Sequence, residues 1–218
     1  MKILITGAAK RIGRMLSEHL AEKGHRIAIH FNSSSTDAEN LLNQLGGEAK
    51  GHCTIQANLG DLNEAESLIS RVIDKWGKPD ILINNASTYF RRGMTDFSTD
   101  ELMEDYIVNF LSPFILMREF KQQCGAGSII NFVDRRVNCI DPEAGPYALA
   151  KKSLRDATEA CAAEWAPEIR VNAIAPGPVL LPGEDPDNAE RKDLLDKLQQ
   201  IVDALLNGSE TGLVHVIE

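Results

Sequence analysis

The sequence has few cysteines, few aromatics, no long apolar run and no excess of positive charge, and each shortage removes a class of protein. Cys53, Cys124, Cys139 and Cys161 are widely spaced, with no C-x-x-C pair and no histidine at zinc-finger spacing. A disulfide scaffold or a thiolate metal site needs closer thiols, so these four read as reduced packing residues and no metal is expected. No apolar run approaches the ~20 residues needed to cross a bilayer. Between Met1-Lys2 and Thr6-Gly7 stand only Ile3, Leu4 and Ile5, too few for the apolar region of a secretory leader. Cytoplasmic residence with no membrane partner is therefore the expectation. The net charge of −9 repels phosphate at long range and argues against nucleic acid as a partner. A phosphate-bearing ligand must be captured by local groups.

What is present suits one globular α/β domain over residues 1–218. With 43% hydrophobic residues, the 218-residue chain can enclose a core between layers. Short apolar runs (KILIT, RIAIHF, GHCTIQA, DILINNA, SIINFV, IRVNAIA) alternate with segments of helical period at 11–23, 36–45, 61–76, 99–123 and 147–165. LVHVI near the end makes a seventh run. This alternation predicts a parallel sheet of about seven strands with helices on both faces, a doubly wound, Rossmann-type architecture. Thr36-Asp37-Ala38-Glu39 reads as a capping box, and Gly24, Gly46 and Gly77 each follow a helical segment. The Pro-, Gly- and acid-rich stretch from 176 to 187 reads as a mobile loop over a substrate site, placed at about 176–200. A plain surface connection is the alternative.

The first strand runs into Thr6-Gly7-Ala8-Ala9-Lys10-Arg11-Ile12-Gly13 and then a helix. Backbone N–H groups and the helix dipole favour a pyrophosphate at such a turn, and its place at the start of a βαβ unit is the context a dinucleotide site requires. The spacing is T-G-x-x-x-R-x-G, with Arg11 where a glycine often stands. NAD-specific sites carry an acid about 20 residues on, whereas here the chain reads His30-Phe31-Asn32-Ser33-Ser34. Neutral groups there, with Arg11 reaching across, suit a 2′-phosphate, so NADP(H) is the expected cofactor. Pairing of Arg11 with a surface carboxylate is the alternative. Further along, Tyr147 and Lys151 lie four residues apart, hence on one helix face. A nearby cation lowers a phenol from its ordinary value of about 10, which predicts Tyr147 as a general acid.

Together these motifs resemble the short-chain dehydrogenase/reductase family. TGAAKRIG, Asn84-Asn85-Ala86, Asn109, YALAK and Asn172-Ala173-Ile174-Ala175-Pro176-Gly177 fall in the family's order and spacing up to about residue 180. The resemblance implies Tyr147 as proton donor, Lys151 tuning it and holding the nicotinamide ribose, and Asn109 supporting a relay water. It also implies that Gly7, Ile12, Gly13, Asn85, Ala86, Pro176, Gly177 and Val179 line the cofactor, with Asn58 and Leu59 at the adenine. Leu181 stands where a threonine often contacts the carboxamide. Where the family usually has serine, thirteen residues before the tyrosine, this chain has Asp134. A carboxylate accepts hydrogen bonds from ring N–H or amino groups, and its charge opposes ionisation of Tyr147.

Arg11, Ser87 and Asp134 together resemble the pteridine reductase and dihydromonapterin reductase branch, which implies an NADPH-dependent reductase of a dihydropterin or dihydrofolate-like small molecule. Tyr89 matches the aromatic that stacks on a pterin, with Phe90 or simple packing as alternatives. Asp134 pairing with Arg135 or Arg136 is the structural alternative at that position. A carbonyl reductase of 3-oxoacyl or sugar substrates, and a catalytically silent dinucleotide-binding protein, are the competing readings. The family also implies a homo-oligomer, a tetramer or dimer, paired through the long helices around Asn109 and Tyr147.

Overall fold

The computed structural model describes residues 1–139, 141–177 and 189–217, with side chains in the last segment from residue 192. Seven strands form one sheet: β1 (Lys2–Ile5), β2 (Arg26–Phe31), β3 (Cys53–Gln56), β4 (Ile81–Asn84), β5 (Gly127–Phe132), β6 (Ile169–Pro176) and β7 (Val214–Ile217). Their order is β3-β2-β1-β4-β5-β6-β7, and every pair is parallel. This is the expected doubly wound arrangement. The chain reverses its direction of travel across the sheet between β1 and β4, which opens a crevice beyond their carboxyl ends.

Side chains alternate between two cores, because successive residues of a strand point to opposite faces. Leu4, Ala28, Leu82, Ile129 and Val171 pack with α3 (Leu62–Trp76), α5 (Ser112–Cys124) and α6 (Gly145–Trp165). Their neighbours Ile3, Ile27, Ile81 and Ile130 pack with α1 (Arg11–Glu22), α2 (Ser35–Gln44) and α7 (Ala189–Asn207) on the other face. Strands covered on both sides must be apolar throughout, which is why runs such as ILI carry no polar alternation. Among the described residues, no helix is long and apolar enough to cross a membrane.

Four expectations need correction. Residues 36–39 are not a capping box, since α2 already begins at Ser35 and the residue before it, Ser34, makes no side-chain cap bond. A reciprocal box does occur at Ser98 and Glu101, opening α4 (Thr99–Tyr106). The predicted helix over 99–123 is interrupted by a π-helical turn at Ile107–Leu111 between α4 and α5. The loop assigned to about 176–200 does not reach its expected end: Pro176 belongs to β6 and Ala189 onward is α7, whose Leu195 and Leu198 are buried in the core, while 178–188 lie outside the described residues. Val179 and Leu181 lie outside the described residues. Cys53 and Cys161 are buried and Cys124 packs against the core, as expected, but Cys139 is exposed.

Candidate active site

At the carboxyl end of the sheet lies a cleft of about 720 Å³, running from the β1–α1 turn to the start of α6. Among the described residues it gathers every candidate site residue except Asn109, which sits behind its wall. The turn has the shape an anion needs. Gly7 adopts φ 61, and a side-chain carbon at Gly13 would come within 2.2 Å of the Gly7 carbonyl, so only glycine permits this approach of backbone to backbone. Arg11 holds φ 52, the left-handed region that favours glycine. That conformation explains why a glycine is usual at this position and makes the retained cation costly by roughly 1 kcal/mol. The helix α1 it opens has no side-chain cap, leaving its first N–H groups directed at the cleft.

Two side chains fix this turn from beneath. Thr6 Oγ1 accepts from the backbone N–H groups of Asn85 (2.9 Å) and Ala86 (3.0 Å), while Asn85 Nδ2 donates to the Thr6 carbonyl at 2.9 Å. The carboxyl ends of β1 and β4 are thereby locked across the crevice. His30, read from the sequence as a cofactor contact, is only 2% exposed and serves the scaffold. Its Nδ1 accepts from the Gly7 N–H and its Nε2 contacts the Ala57 carbonyl, both at 3.1 Å. A carbonyl can only accept, so Nε2 carries the proton and the ring is neutral. Burial pushes its pKa down to about 4. Asn58 likewise does local work, its Oδ1 accepting from the Gly60 N–H at 3.0 Å and from Asn32 Nδ2 at 3.3 Å. Phe31, Asn32, Ser33, Ser34 and Leu59 border the cleft at the far end from Tyr147.

At the other end, Tyr147 lies in the first turn of α6 and is 6% exposed. Its hydroxyl donates to Asp134 Oδ2 at 3.0 Å. Burial first, and the Asp134 carboxylate second, push the phenol well above its ordinary value. The expected net lowering by Lys151, whose Nζ lies 5.9 Å from the ring centroid, does not occur, and the expected opposition of Asp134 to ionisation does. Lys151 Nζ turns instead to the Phe132 carbonyl at 2.9 Å, and burial pulls its own pKa down to about 8. The phenol is held protonated, a donor by virtue of its surroundings.

Asp134 does pair with an arginine, and it meets Tyr147 as well. Arg136 Nη1 lies 3.1 Å from Asp134 Oδ2, and Arg136 Nε lies 2.6 Å from Asp141 Oδ2. Its guanidinium also covers the Tyr89 ring at 5.1 Å. Tyr89 meets Tyr147 edge to face, with centroids 4.8 Å apart. Phe90 takes no part in the cleft and lies under Arg92 at 4.5 Å. From the sequence, Arg136 was one of two possible partners of Asp134, and that pairing is present; its longer reach to Asp141 and Tyr89 was not foreseen and depends on the 3-10 turn at Arg135–Val137.

Asn109 stands in the π-helical turn with no exposed surface. Its Nδ2 donates to the carbonyls of Thr88 and Asp105, each at 3.0 Å, and its Oδ1 accepts from Ser87 Oγ at 2.7 Å. A π-turn inserts one residue into the helical ladder and rotates the side chains beyond it about the axis, and such turns gather at functional sites. Here it turns Asn109 toward the segment carrying Ser87 and Tyr89.

The pattern of the short chain dehydrogenase family matches residues 1–192. The chain belongs to that family. As a member of the short chain dehydrogenases it is an oxidoreductase, and three similar proteins carry names of two substrate types. FolM alternative dihydrofolate reductase 1 from Brucella suis, solved in complex with NADP, is 30% identical, with a TM-score of 0.87 over 100% of this chain and 93% of that one. Pteridine reductase 1 from Leishmania tarentolae is 29% identical over 227 residues, covering 84% of this chain and 78% of its own. The 3-oxoacyl-(acyl-carrier-protein) reductase FabG of Staphylococcus epidermidis is 27% identical over 218 residues, covering 98% of this chain and 88% of its own.

Proposed function

We propose that this oxidoreductase uses NADPH to reduce a dihydropterin or dihydrofolate-like molecule, with Tyr147 as proton donor. The observation that carries the reading is Asp134, a carboxylate bonded at once to the Tyr147 hydroxyl and to Arg136. An acceptor-only group at that place suits a substrate edge bearing N–H and amino groups, whereas a substrate carbonyl calls for a donor. NADP bound to the Brucella suis relative and the dihydrofolate and pteridine reductases among the similar proteins support the same reading.

The residues present fit the cofactor. The glycine cradle at Gly7 and Gly13 admits a pyrophosphate against the start of α1, and Arg11 with Asn32, Ser33 and Ser34 offers donors to a 2′-phosphate. Ala86, Ile12, Pro176 and Gly177 would form apolar and backbone walls, and Lys151 would hold a ribose hydroxyl. When bound, NADPH supplies the hydride. Reduction of a C=N bond adds that hydride to carbon and a proton to nitrogen; the proton comes from the Tyr147 hydroxyl. Asp134 would take the substrate's N–H groups and Tyr89 would cover its flat ring, while Asn109, whose amide is spent on Thr88, Asp105 and Ser87, would hold the Ser87–Tyr89 segment in place of a relay water.

The similarity to FabG favours a second reading, reduction of a 3-oxoacyl thioester. Following NADPH oxidation with 7,8-dihydropterins, dihydrofolate, 3-oxoacyl thioesters and simple ketones separates the two. Turnover confined to the dihydropterins and dihydrofolate is expected, and turnover confined to thioesters or ketones would reject it.

A further inference from the structure

Arg92 and Asp105 form an ion pair whose position is poorly suited to stabilising the fold. Asp105 is fully buried on α4, inside a helical run that continues through the π-turn into α5. Its Oδ2 lies 3.2 Å from Arg92 Nη1, and its Oδ1 has no hydrogen-bond partner among the described residues. Burial pushes the Asp105 carboxyl up, against the pull of Arg92. An incompletely satisfied buried pair of this kind is commonly replaced by apolar side chains with little or no loss of stability. A second contact, Arg92 Nη2 to Glu101 at 3.2 Å, meets a partly exposed carboxylate and adds little.

The pair's contacts point to a different purpose. The Arg92 N–H donates to the Glu143 carbonyl at 2.9 Å and its carbonyl accepts from the Gly145 N–H at 3.1 Å, so Arg92 holds the first residue of α6 two positions before Tyr147. Asn109, one turn beyond Asp105, bonds both the Asp105 carbonyl and the Thr88 carbonyl. The segment 87–92 is thus pinned at its start by Asn109 and at its end by Asp105. Tyr89 lies between the two pins.

We propose that Arg92 and Asp105 are positioning residues, whose buried pair holds the Tyr89 segment and the start of α6 in one frame and so fixes the contact between Tyr89 and Tyr147. Displacements of about 1 Å in such a frame can cost 10²-fold in rate without any change in the reacting groups. The proposal rests on the reading of Tyr147 as proton donor and Tyr89 as the ring that covers the substrate.

The test compares R92K, D105N and the apolar double variant R92M/D105L with the wild type, each saturated with NADPH. In the double variant we expect kcat/KM for a dihydropterin to fall by about tenfold or more, with NADPH affinity within about twofold and Tm within a few degrees of wild type. R92K should recover part of the loss. The fluorine resonances of Tyr89 and Tyr147 in 3-fluorotyrosine-labelled protein, assigned with Y89F and Y147F, should both move in the double variant. Unmoved resonances overturn the proposal whether or not pterins are substrates, and so does a loss of turnover that merely follows Tm across the variants. A wild type that reduces no dihydropterin rejects the substrate reading alone, because the resonances still report on the frame.

Discussion

Burial moves Tyr147, Lys151 and His30 in the cleft away from their ordinary ranges. Tyr147 is held protonated by burial and by Asp134. Tyr147→Phe, which keeps the ring but removes the proton, should slow single-turnover reduction by roughly 10²-fold or more, and full turnover would remove it from the role of acid. Lys151, pulled down to about 8, loses its charge within an accessible range. Because kcat/KM reports groups of the free enzyme, it should decline above about pH 8, and Lys151→Arg, though slower, should lack that break. A wild-type profile flat to about pH 9.5 counts against this role for the lysine.

The buried imidazole of His30, lowered to about 4 from 6.5, makes a prediction about stability. Between those values the unfolded chain binds a proton that the folded chain refuses. The contribution is therefore whole above pH 6.5 and is lost as pH falls toward 4, amounting to roughly 3 kcal/mol. Gln can accept from the Gly7 N–H without titrating, so urea unfolding of His30→Gln should show a shallower decline over that range. Parallel curves for the two proteins would contradict it.

At the scale of elements, the strands and most helices were legible because period and burial agree: two-sided burial leaves strands such as β4 apolar from Ile81 to Ile83 without alternation, and the glycines after α1, α2 and α3 all take positive φ. The π-turn at Asn109 was not legible, since one inserted residue barely disturbs the apolar spacing of a helix and shows only in which carbonyls are bonded. The capping pattern was degenerate. Thr36-x-x-Glu39 and Ser98-x-x-Glu101 have the same form, but the short link from β2 starts α2 before Thr36, leaving that pattern inside the helix. The candidate site was legible as a set of residues and less so as roles. His30 and Asn85 brace the turn from beneath, and Arg136, offered from the sequence only as a partner of Asp134, also reaches Tyr89 by way of a 3-10 turn. Strain in the β1–α1 turn separates two effects at Arg11. Arg11→Ala should weaken NADPH far more than NADH while keeping a strained φ, whereas Arg11→Gly should lose the same selectivity yet unfold at higher denaturant, by about 1 kcal/mol. Equal losses for both cofactors on titration would undo the 2′-phosphate argument.

The whole molecule presents apolar surface where the helices carrying Asn109 and Tyr147 reach the outside. Tyr106, Phe110 and Phe114 form a ladder along α4, the π-turn and α5, with ring centroids 6.4 and 5.9 Å apart. Phe114 remains 37% exposed, Met103 47% and Leu149, on α6, 40%. Large apolar side chains gathered on adjoining helices are unusual on a monomer's surface and are typical of the core of a subunit contact. The family resemblance implies pairing through these same helices, so the oligomer would bury the outer faces of the elements that carry Asn109 and Tyr147. Association would then brace the cleft from behind, and activity would depend on protein concentration. Phe114→Glu with Leu149→Glu places two charges in the contact. Light scattering on the eluting protein should show a dimer or tetramer for wild type and a monomer for this variant, with Tm lower by several degrees and dependent on concentration only in the wild type. A wild type that elutes as a monomer at about 50 μM, a concentration at which contacts with micromolar dissociation constants are formed, would remove the oligomer and with it this support for the cleft.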